Sequence, residues 1–208
     1  MLLRTTDYGL RTIKMAMTPL IIVAGPSGSG KSTIVARMVK DSGLPLRLSV
    51  SATTRAPRRY ERNGVHYWFW TREQFQKQVK AGAFLEWAEV NGESYGTLRS
   101  EVDDYRRRGI GVLLDIDVQG AAQVRACYPE CLSIFIRTSS DEDYERRLRQ
   151  RGTENEEQIA RRLATARREL ERIHEFDCVV VNDDLESAVG QVRDAIAKAF
   201  QKGNANAG

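Results

Sequence analysis

One stretch of the chain carries the residue types and spacing of a phosphate-binding loop. Gly25-Pro26-Ser27-Gly28-Ser29-Gly30-Lys31-Ser32 fits the pattern G-x-x-x-x-G-K-[S/T] at every fixed position. The glycines allow backbone N–H groups to curl around phosphate oxygens, the lysine reaches the β- and γ-phosphates, and the serine hydroxyl is a ligand for Mg²⁺. The run therefore predicts a site for a nucleoside triphosphate and its magnesium ion.

The residues on either side predict the elements that such a loop needs. Residues 20–24 form a continuous apolar run, which is typical of a strand buried on both faces. Thr33 joins the loop and begins a helix over 33–39, with Gly43 near its end. The N-terminus of that helix adds a favourable dipole for phosphate. A glycine-rich turn with nothing bound is the alternative, and the complete pattern argues against it.

A second apolar run ends in two acids. Residues 110–117 predict a buried strand whose carboxyl end carries Asp115 and Asp117, two positions apart and so on one face. Ligands of open α/β sheets bind at those strand ends. Asp115 is expected to orient Mg²⁺ and Asp117 to face the phosphoryl acceptor, although an exchange of these two roles stays open.

The segment between these runs is rich in hydroxyls, arginines and aromatic residues. Arg55 and Arg58 have the planar guanidinium groups that grip phosphate at two points. Residues 65–70 predict an aromatic strand, and Thr71 with Gln74 predicts a capping box for the next helix.

A carboxylate stands inside the strand predicted over residues 82–90. If that strand alternates, Glu86 shares a face with Phe84 and Ala88, which is an unusual place for an unpaired charge. Tyr67 and Tyr95, taken singly, are equally well explained as packed aromatic residues with a solvated hydroxyl.

Residues 139–175 hold nine arginines, ten acids and no lysine. Ser139 with Glu142, and Thr153 with Glu156, predict the caps of two helices. In the second helix a buried stripe is expected, formed by Ile159, Leu163, Ala166, Leu170 and Ile173. Arg161, Arg168 and Arg172 fall on the solvent side, and Arg162 falls at the edge of the stripe. In the first helix Arg147 and Arg151 share a face, four positions apart.

The amino-acid composition argues against several classes of protein. Lys and Arg total 32 and Asp and Glu 28, a formal net charge of +4 that suits a phosphate-rich ligand and includes no basic arm for nucleic acid. No apolar run approaches the ~20 residues of a membrane span. Three cysteines and two histidines favour a reducing, cytoplasmic setting and no zinc site.

The loop pattern by itself does not identify a reaction, because ATPases, GTPases and several kinds of kinase share it. A GTPase would also carry N-K-x-D, and the nearest match, Asn182-Asp183-Asp184, lacks the lysine.

Taken together, the motifs resemble the guanylate kinase family. The strings S-x-S-x-T-T-R-x-P-R from Ser49, E-W-A from Glu86, Y-G-T from Tyr95 and L-D-I-D-x-Q-G from Leu114 carry the resemblance, which extends from Leu20 to about Phe200.

The resemblance implies a role for each matching position. Phosphate would be gripped by Arg55, Arg58, Tyr67 and Tyr95. Guanine would be surrounded by Ser51, Glu86, Thr97 and Asp117, with Gly96 beside them. A carboxylate accepts hydrogen bonds from the N1–H and amino groups of guanine, whereas adenine has no donor at those ring positions. Arg147, Arg151 and Arg162 would contact the phosphates of ATP and join Lys31 and Arg55 in catalysis, and Asn182 would lie near the adenine.

The expected fold is a three-layer α/β fold of the P-loop NTPase type: a parallel-sheet core, a small mixed β/α insert that binds GMP, and a helical lid. The predicted segments are an N-terminal extension expected to be disordered (1–17), the core (18–50, 101–138 and 176–202), the GMP-binding region (51–100), the lid (139–175) and a tail (203–208).

The expected reaction transfers the γ-phosphoryl group of ATP to GMP, and to dGMP, in the presence of Mg²⁺. Two alternatives remain: a related P-loop kinase of a sugar phosphate, and a non-catalytic guanylate-kinase-like module that binds proteins. The intact guanine set opposes the first and the intact loop opposes the second. The sequence leaves the oligomeric state open, a homo-oligomer included.

Overall fold

The computed structural model describes residues 17–90, 92–150 and 155–205. The strands are β1 (Leu20–Ala24), β2 (Leu46–Leu48), β3 (Ala52–Thr53), β4 (Trp68–Phe69), β5 (Phe84–Val90), β6 (Glu93–Leu98), β7 (Gly111–Asp115), β8 (Leu132–Arg137) and β9 (Cys178–Val181). The helices are α1 (Lys31–Asp41), α2 (Arg72–Lys80), α3 (Arg99–Arg107), α4 (Val118–Cys127), α5 (Asp141–Gln150), α6 (Glu156–Glu171) and α7 (Leu185–Ala205), with a 3₁₀ turn over Ile173–Glu175.

A parallel five-stranded sheet forms the centre of the molecule, in the order β2-β7-β1-β8-β9. Every residue of β1 is fully buried, as the continuous apolar run predicts. Val23 of β1 lies in register with Asp115 of β7. The carboxyl ends of these two central strands therefore meet at one edge, where the phosphate-binding loop and the acids follow them.

Helices cover both faces of this sheet and create two hydrophobic cores. On one face, Ile22 and Leu114 pack with Val102 of α3 and Val124 of α4. On the other, strand residues such as Leu113 pack with side chains from α1 and α7, including Ile34, Met38, Val192 and Ile196. The predicted three-layer α/β architecture is confirmed. Full burial of each such aliphatic side chain contributes ~1.5–3 kcal/mol, so the cores hold the loop's two flanking elements rigidly.

A smaller mixed sheet, in the order β4-β3-β6-β5, stands beside the core. Strand β6 is antiparallel to both β3 and β5, whereas β4 is parallel to β3. Its core consists of Ala52, Phe75, Phe84 and Leu98. Helix α2 begins at Thr71 with the predicted capping box to Gln74. Residues 51–100 thus contain a mixed β/α unit of their own.

Two predicted strands are shorter than expected. The aromatic run over 65–70 is extended only at Trp68–Phe69, because Val65 and His66 belong to a turn whose N–H groups donate to Arg62 O. The acidic run stops at Asp115 rather than at residue 117, because Asp117 is the N-cap of α4. The expectation that β7 extends to Asp117 was therefore wrong.

The helix starts in the lid segment also differ from the prediction. Ser140 caps α5, since its Oγ accepts from the backbone N–H of Asp143 at 3.3 Å, so the predicted cap at Ser139 is one residue early. Asn155 forms a capping box with Gln158 for α6. The predicted cap Thr153 lies outside the described residues, as do Arg151 and residues 1–16. Helix α7 continues through Ala205 and so enters the segment 203–208 that was expected to be a tail.

The side of α6 that was predicted to be buried does face the core. Ile159 and Ala166 are buried, and Leu170 packs on the main core. Ile173 also packs there, although it lies in the 3₁₀ turn beyond the helix. That turn carries Arg172 back against Glu175, at 2.7 Å from Nε to Oε1, so its expected place in solvent was wrong. Within the described ranges, no helix combines the length and apolar character that a membrane crossing requires.

Candidate active site

The phosphate-binding loop lies between β1 and α1 and depends on three glycines in left-handed backbone conformations. Their φ values are 138° at Gly25, 93° at Gly28 and 86° at Gly30, a region that strongly favours glycine. Space also excludes side chains at two of them. A Cβ on Gly25 would lie 2.1 Å from the carbonyl oxygen of Ile136, and one on Gly30 would lie 2.2 Å from Nδ2 of Asn182. The loop is therefore fixed against its neighbours.

Three polar side chains meet where the loop enters α1. Lys31 Nζ lies 3.5 Å from Oδ1 of Asp115, and the Ser32 hydroxyl donates to Oδ2 of the same carboxylate at 3.3 Å. The parallel register of β1 and β7 produces this contact, because both strands end at the same edge of the sheet. A cation, a hydroxyl and a carboxylate are thereby gathered at one point beside the loop.

These oxygens fit a hydrated magnesium ion. Mg²⁺ prefers hard oxygen ligands and is commonly held by one or two carboxylates together with waters and substrate phosphates. Ser32 Oγ and the Asp115 carboxylate supply such donors. Among the described residues, no group of three or more His, Cys, Asp or Glu side chains could enclose a metal ion. An open site of this kind suits a metal that arrives with a nucleotide rather than a permanently caged one.

Asp117 lies two residues beyond the end of β7, at the start of α4. Its Oδ1 accepts from the backbone N–H of Gly120 at 2.8 Å and so caps α4. Its negative charge also raises the pKa of Glu86. Asp117 is therefore a helix cap that lies close to the predicted guanine site, and it is not on the strand with Asp115.

Glu86 is a buried carboxylate, 7% exposed, on the face of β5 that α4 covers. It pairs across the sheet with Thr97, whose hydroxyl donates to Oε1 at 2.7 Å. Burial is the main cause that raises the pKa of Glu86, and the bond from Thr97 acts in the opposite direction. A bulge between Phe84 and Glu86 breaks the alternation of β5. Phe84 therefore enters the small core while Glu86 opposes Thr97.

Gly120 is a site residue that the sequence reasoning did not single out. A Cβ at this position would lie 2.8 Å from Oε2 of Glu86. Helix α4 thus requires a residue without a side chain where it passes the carboxylate. The glycine stands in the L-D-I-D-x-Q-G string, so its sequence context held a signal, but only the packing of α4 on β5 gives the reason. Gly96 has a similar role, because its Cβ would lie 2.7 Å from the Phe84 ring.

Four predicted phosphate ligands, called the clamp below, lie together at the edge of the smaller sheet: Arg55, Arg58, Tyr67 and Tyr95. The rings of Tyr67 and Tyr95 are 6.1 Å apart between centroids, and the Arg55 guanidinium lies 5.6 Å from the Tyr67 ring. Burial raises the pKa of Tyr67, and the charge of Asp115 adds to that rise. The ring contacts thus bring Arg55, Tyr67 and Tyr95 into one group.

Ser51, the remaining member of the predicted guanine set, lies just before β3. It is half-buried, and its carbonyl oxygen accepts from the backbone N–H of Trp68 at 2.8 Å. This bond ties the start of β3 to the segment that carries Tyr67.

Two of the three predicted lid arginines contact the phosphate-binding loop. Arg147 donates from Nη2 to the carbonyl oxygen of Asn182 at 2.7 Å, and its Nη1 lies 3.4 Å from the carbonyl oxygens of Gly28 and Ser29. Arg162 donates from Nη1 to the Ser27 hydroxyl at 2.7 Å. Helices α5 and α6 thus deliver positive charge to the loop from two directions.

Asn182 stabilises the phosphate-binding loop through a hydrogen bond from its side chain. Its Nδ2 donates to the carbonyl oxygen of Ser29 at 2.7 Å, and its side chain is buried. This contact gives Asn182 a structural role in fixing the loop, which the sequence prediction of a place near adenine did not include. Within the loop, Ser29 N donates to Pro26 O and Thr33 N donates to Gly30 O, both at 3.1 Å.

Two further acids belong to the cleft and were missed from the sequence. Glu61 accepts from Arg55 Nη2 at 2.9 Å. Glu169 of α6 is half-buried, and within the described part of the chain its Oε2 has no hydrogen-bond partner. Burial raises the pKa of Glu169, while the charge of Lys31 lowers it and that of Asp117 raises it. Glu61 is only six residues from Arg55, but no residue pattern predicts the turn that pairs them.

Comparison with known proteins agrees with this geometry. The family model described as "Guanylate kinase" matches residues 16–199. The guanylate kinase of Synechococcus sp. (strain CC9311) is 51% identical over 171 residues, which cover 82% of this chain and 90% of that protein. That of Rubrobacter xylanophilus is 50% identical over 169 residues, covering 81% and 88% respectively. The crystal structure of guanylate kinase from Anaplasma phagocytophilum superposes with a TM-score of 0.72 at 30% identity, over 89% of this chain and 87% of that one.

Proposed function

Because the chain belongs to the guanylate kinase family, we propose that its cleft transfers the γ-phosphoryl group of ATP to GMP, giving ADP and GDP. One observation carries the choice of acceptor: a buried carboxylate, Glu86, lies against the first turn of α4, whose N-cap Asp117 is two residues beyond Asp115, the partner of Lys31 in the phosphate-binding loop. In this proposal Glu86 accepts hydrogen bonds from guanine, and these bonds determine which nucleotide is the acceptor.

Glu86 reads the base by charge and by donor position. The N1–H and amino group of guanine donate to its two oxygens, while Thr97 holds Oε1 at 2.7 Å. Adenine has no N–H at the corresponding ring position, so the buried carboxylate would keep its bond from Thr97 but gain none from the N1 position of the base, which costs ~1–3 kcal/mol. Asp117 and Ser51 complete the rim of the base pocket. We extend the proposal to dGMP, because it has the same guanine and phosphate groups to which the contacts above are assigned.

The clamp holds the acceptor phosphate. Arg55 and Arg58 supply two positive charges, and Tyr67 and Tyr95 supply hydroxyl donors around them. Neutralising the acceptor is necessary because an anionic phosphate oxygen must approach the anionic γ-phosphoryl group. The clamp also aims that oxygen, since phosphoryl transfer depends mainly on alignment and on electrostatic stabilisation.

Transfer itself needs no covalent enzyme intermediate. A phosphate oxygen of GMP forms a bond to the γ-phosphorus in line with the bond to the β–γ bridging oxygen, which breaks and leaves ADP. Lys31 and the loop N–H groups stabilise the charge that develops on the phosphoryl oxygens, and Arg147 and Arg162 add to it. Arg151 belongs to the same proposed set. Mg²⁺, when bound, neutralises β- and γ-phosphate charge, and Ser32 and Asp115 are the residues that would hold it.

The remaining assignments follow from this reaction. We assign the mixed sheet with α2, within residues 51–100, to GMP binding, and α5 with α6, within 139–175, to a lid over ATP. A lid that carries arginines would exclude water and so suppress ATP hydrolysis. The three cysteines are free thiols, in agreement with a cytoplasmic enzyme of nucleotide metabolism.

The test is ADP formation from ATP and Mg²⁺ with GMP, dGMP, AMP, CMP, UMP or a sugar phosphate as acceptor, together with a direct measurement of GMP binding, for the wild type and Glu86→Ala. We expect turnover with GMP and dGMP alone, and loss of it in the variant. Binding of GMP without turnover would instead support a protein-binding module. Consumption of ATP only with a sugar phosphate would support the related kinase and refute the assignment of Glu86.

A further inference from the structure

Glu61 brings a negative charge into a clamp that is built to receive a phosphate. Its Oε1 accepts from Arg55 Nη2 at 2.9 Å, and its Oε2 accepts from the backbone N–H of Arg58 at 2.7 Å. The Glu61 side chain is 6% exposed. An acid beside an anion site repels the ligand at short range, so its place here needs a physical reason.

The first reason lies in the Arg55 side chain. An arginine side chain is long and flexible, and fixing it costs conformational entropy. Here the guanidinium is fixed from three sides: by Glu61, by the carbonyl oxygen of Ala56 at 2.7 Å from Nη1, and by the rings of Tyr67 and Phe69 at 5.6 and 5.8 Å. The bond to Glu61 also raises the pKa of Arg55 and lowers that of Glu61, so both groups stay charged.

The second reason lies in the turn that carries Arg58. The backbone N–H of Glu61 donates to the carbonyl oxygen of Arg58 at 2.9 Å, while the Glu61 side chain accepts from the N–H of Arg58. These two reciprocal bonds close the turn over residues 58–61. The Arg58 guanidinium itself is exposed and donates to the Tyr60 hydroxyl at 3.5 Å. Glu61 thus fixes the backbone from which the Arg58 side chain extends.

We propose that Glu61 is a positioning residue that forms the clamp before GMP binds. One carboxylate fixes the Arg55 guanidinium and the backbone of Arg58 together, and it reduces the repulsion between the two cations. Two positive charges and one negative charge still leave a net positive charge for the phosphate. The inference rests on the proposed function, because the clamp is assigned to the phosphate of GMP.

The test compares a nucleotide with its nucleoside. We would measure dissociation constants for GMP and for guanosine, with KM and kcat for GMP and ATP, in the wild type, Glu61→Ala and Glu61→Gln. In Glu61→Ala the dissociation constant and KM of GMP should rise by about 10- to 100-fold, as expected when a hydrogen bond to a charged group is lost. Guanosine has no phosphate, so its affinity should change less than about twofold, and the KM of ATP should not change.

The second variant and a control separate positioning from folding. Glu61→Gln keeps an oxygen that can accept from one donor, so its KM for GMP should fall between those of Glu61→Ala and the wild type. Glu93→Gln is the control, because Glu93 accepts from Thr54 at 2.6 Å in the same small sheet but lies outside the clamp. It should bind GMP like the wild type, and all variants should retain the wild-type circular dichroism spectrum.

Three results would overturn the inference. Unchanged GMP affinity in Glu61→Ala would show that Glu61 does not position the clamp. Tighter GMP binding would show that its repulsion outweighs its support. Equal weakening of GMP and guanosine would show a general structural role. If the wild type itself transfers no phosphoryl group to GMP, the proposed function fails first, so the two failures are distinguishable.

Discussion

Replacing Gly120 with alanine would place a methyl group directly against Glu86, the carboxylate proposed to bind guanine. The added Cβ would lie 2.8 Å from Oε2, 3.3 Å from Cδ and 3.5 Å from Cγ of Glu86. Ordinary contact begins at 3.4 Å, so the carboxylate must retreat by about 0.6 Å. The backbone of α4 accepts alanine without strain, and the end of a side chain can move, so the protein should still fold.

The substitution has two opposite effects on the free energy of unfolding. Alanine is favoured over glycine in a helix by up to ~1 kcal/mol, which offsets the cost of moving Glu86. We therefore expect the free energy of unfolding to change by no more than ~1 kcal/mol. Binding has no such compensation, because the displaced carboxylate misaligns with guanine. Loss of one charge-assisted hydrogen bond, ~1.5–3 kcal/mol, corresponds to a KM for GMP that is about 10- to 100-fold higher.

The assay is steady-state ADP formation at varied GMP, with ATP saturating, and a second series at varied ATP. Gly190→Ala is the matched control, since a Cβ at this other helical glycine, in α7, meets no described atom within 4 Å. Gly190→Ala should leave both KM values unchanged and raise stability slightly. An unchanged KM for GMP in Gly120→Ala would refute the contact with Glu86. An equal rise in the KM of ATP would show that the effect is not confined to the guanine pocket.

Three further substitutions test other parts of the cleft. Glu86→Gln should weaken GMP binding yet stabilise the protein near pH 8. Burial raises the pKa of Glu86 in the folded state, so its contribution to the stability of the wild type falls as the pH rises from 4.5 through that pKa, and glutamine avoids this loss. Thermal unfolding at pH 5 and pH 8 would show it, and a gain that is larger at pH 5 would contradict it. Lys31→Met should lower kcat by about 10²- to 10³-fold while GMP still binds; near-normal turnover would remove Lys31 from catalysis. Asn182→Ala removes the shorter of the two hydrogen bonds to Ser29 O and leaves the one from Arg147 at 3.4 Å. KM for ATP should therefore rise and stability should fall by ~1–3 kcal/mol, and a rise confined to KM for GMP would contradict this role of Asn182.

The parts of the site that were predictable from the sequence are those fixed by contiguous residues. The loop, its buried strand and its helix follow one another along the chain, so local physics determines them together. The pairing of the loop with Asp115 was also accessible, because parallel strands bring their carboxyl ends to one edge. The capping box at Thr71 is local for the same reason.

The sequence predicted less well those features for which two nearby residues, or two uses of one residue, are equally compatible with the local pattern. Ser139 and Ser140 are adjacent cap-forming residues, and which one caps α5 depends on where the helix meets the core. The end of β7 is a similar case, because Asp117 had two competing uses, a strand position or the cap of α4. In each case tertiary packing decides between local options of nearly equal energy.

Features that depend on non-local contacts were not predictable at all. The bulge between Phe84 and Glu86 changes the pairing of β5 with β6, so that Phe84 lies in the small core while Glu86 lies opposite Thr97. Gly120 needs the α4–β5 contact to explain it. The residues that refine the site are thus the ones that the chain brings together from a distance.

The most direct test of the central claim follows the phosphoryl group itself. ATP labelled with radioactive phosphorus at the γ position would be incubated with the protein and Mg²⁺, with GMP or AMP as acceptor, and the products separated. The account predicts label in the β-phosphate of GDP when GMP is present, and label retained in ATP when AMP replaces it. Label released as inorganic phosphate irrespective of the acceptor, or recovered in ADP made from AMP, would contradict it.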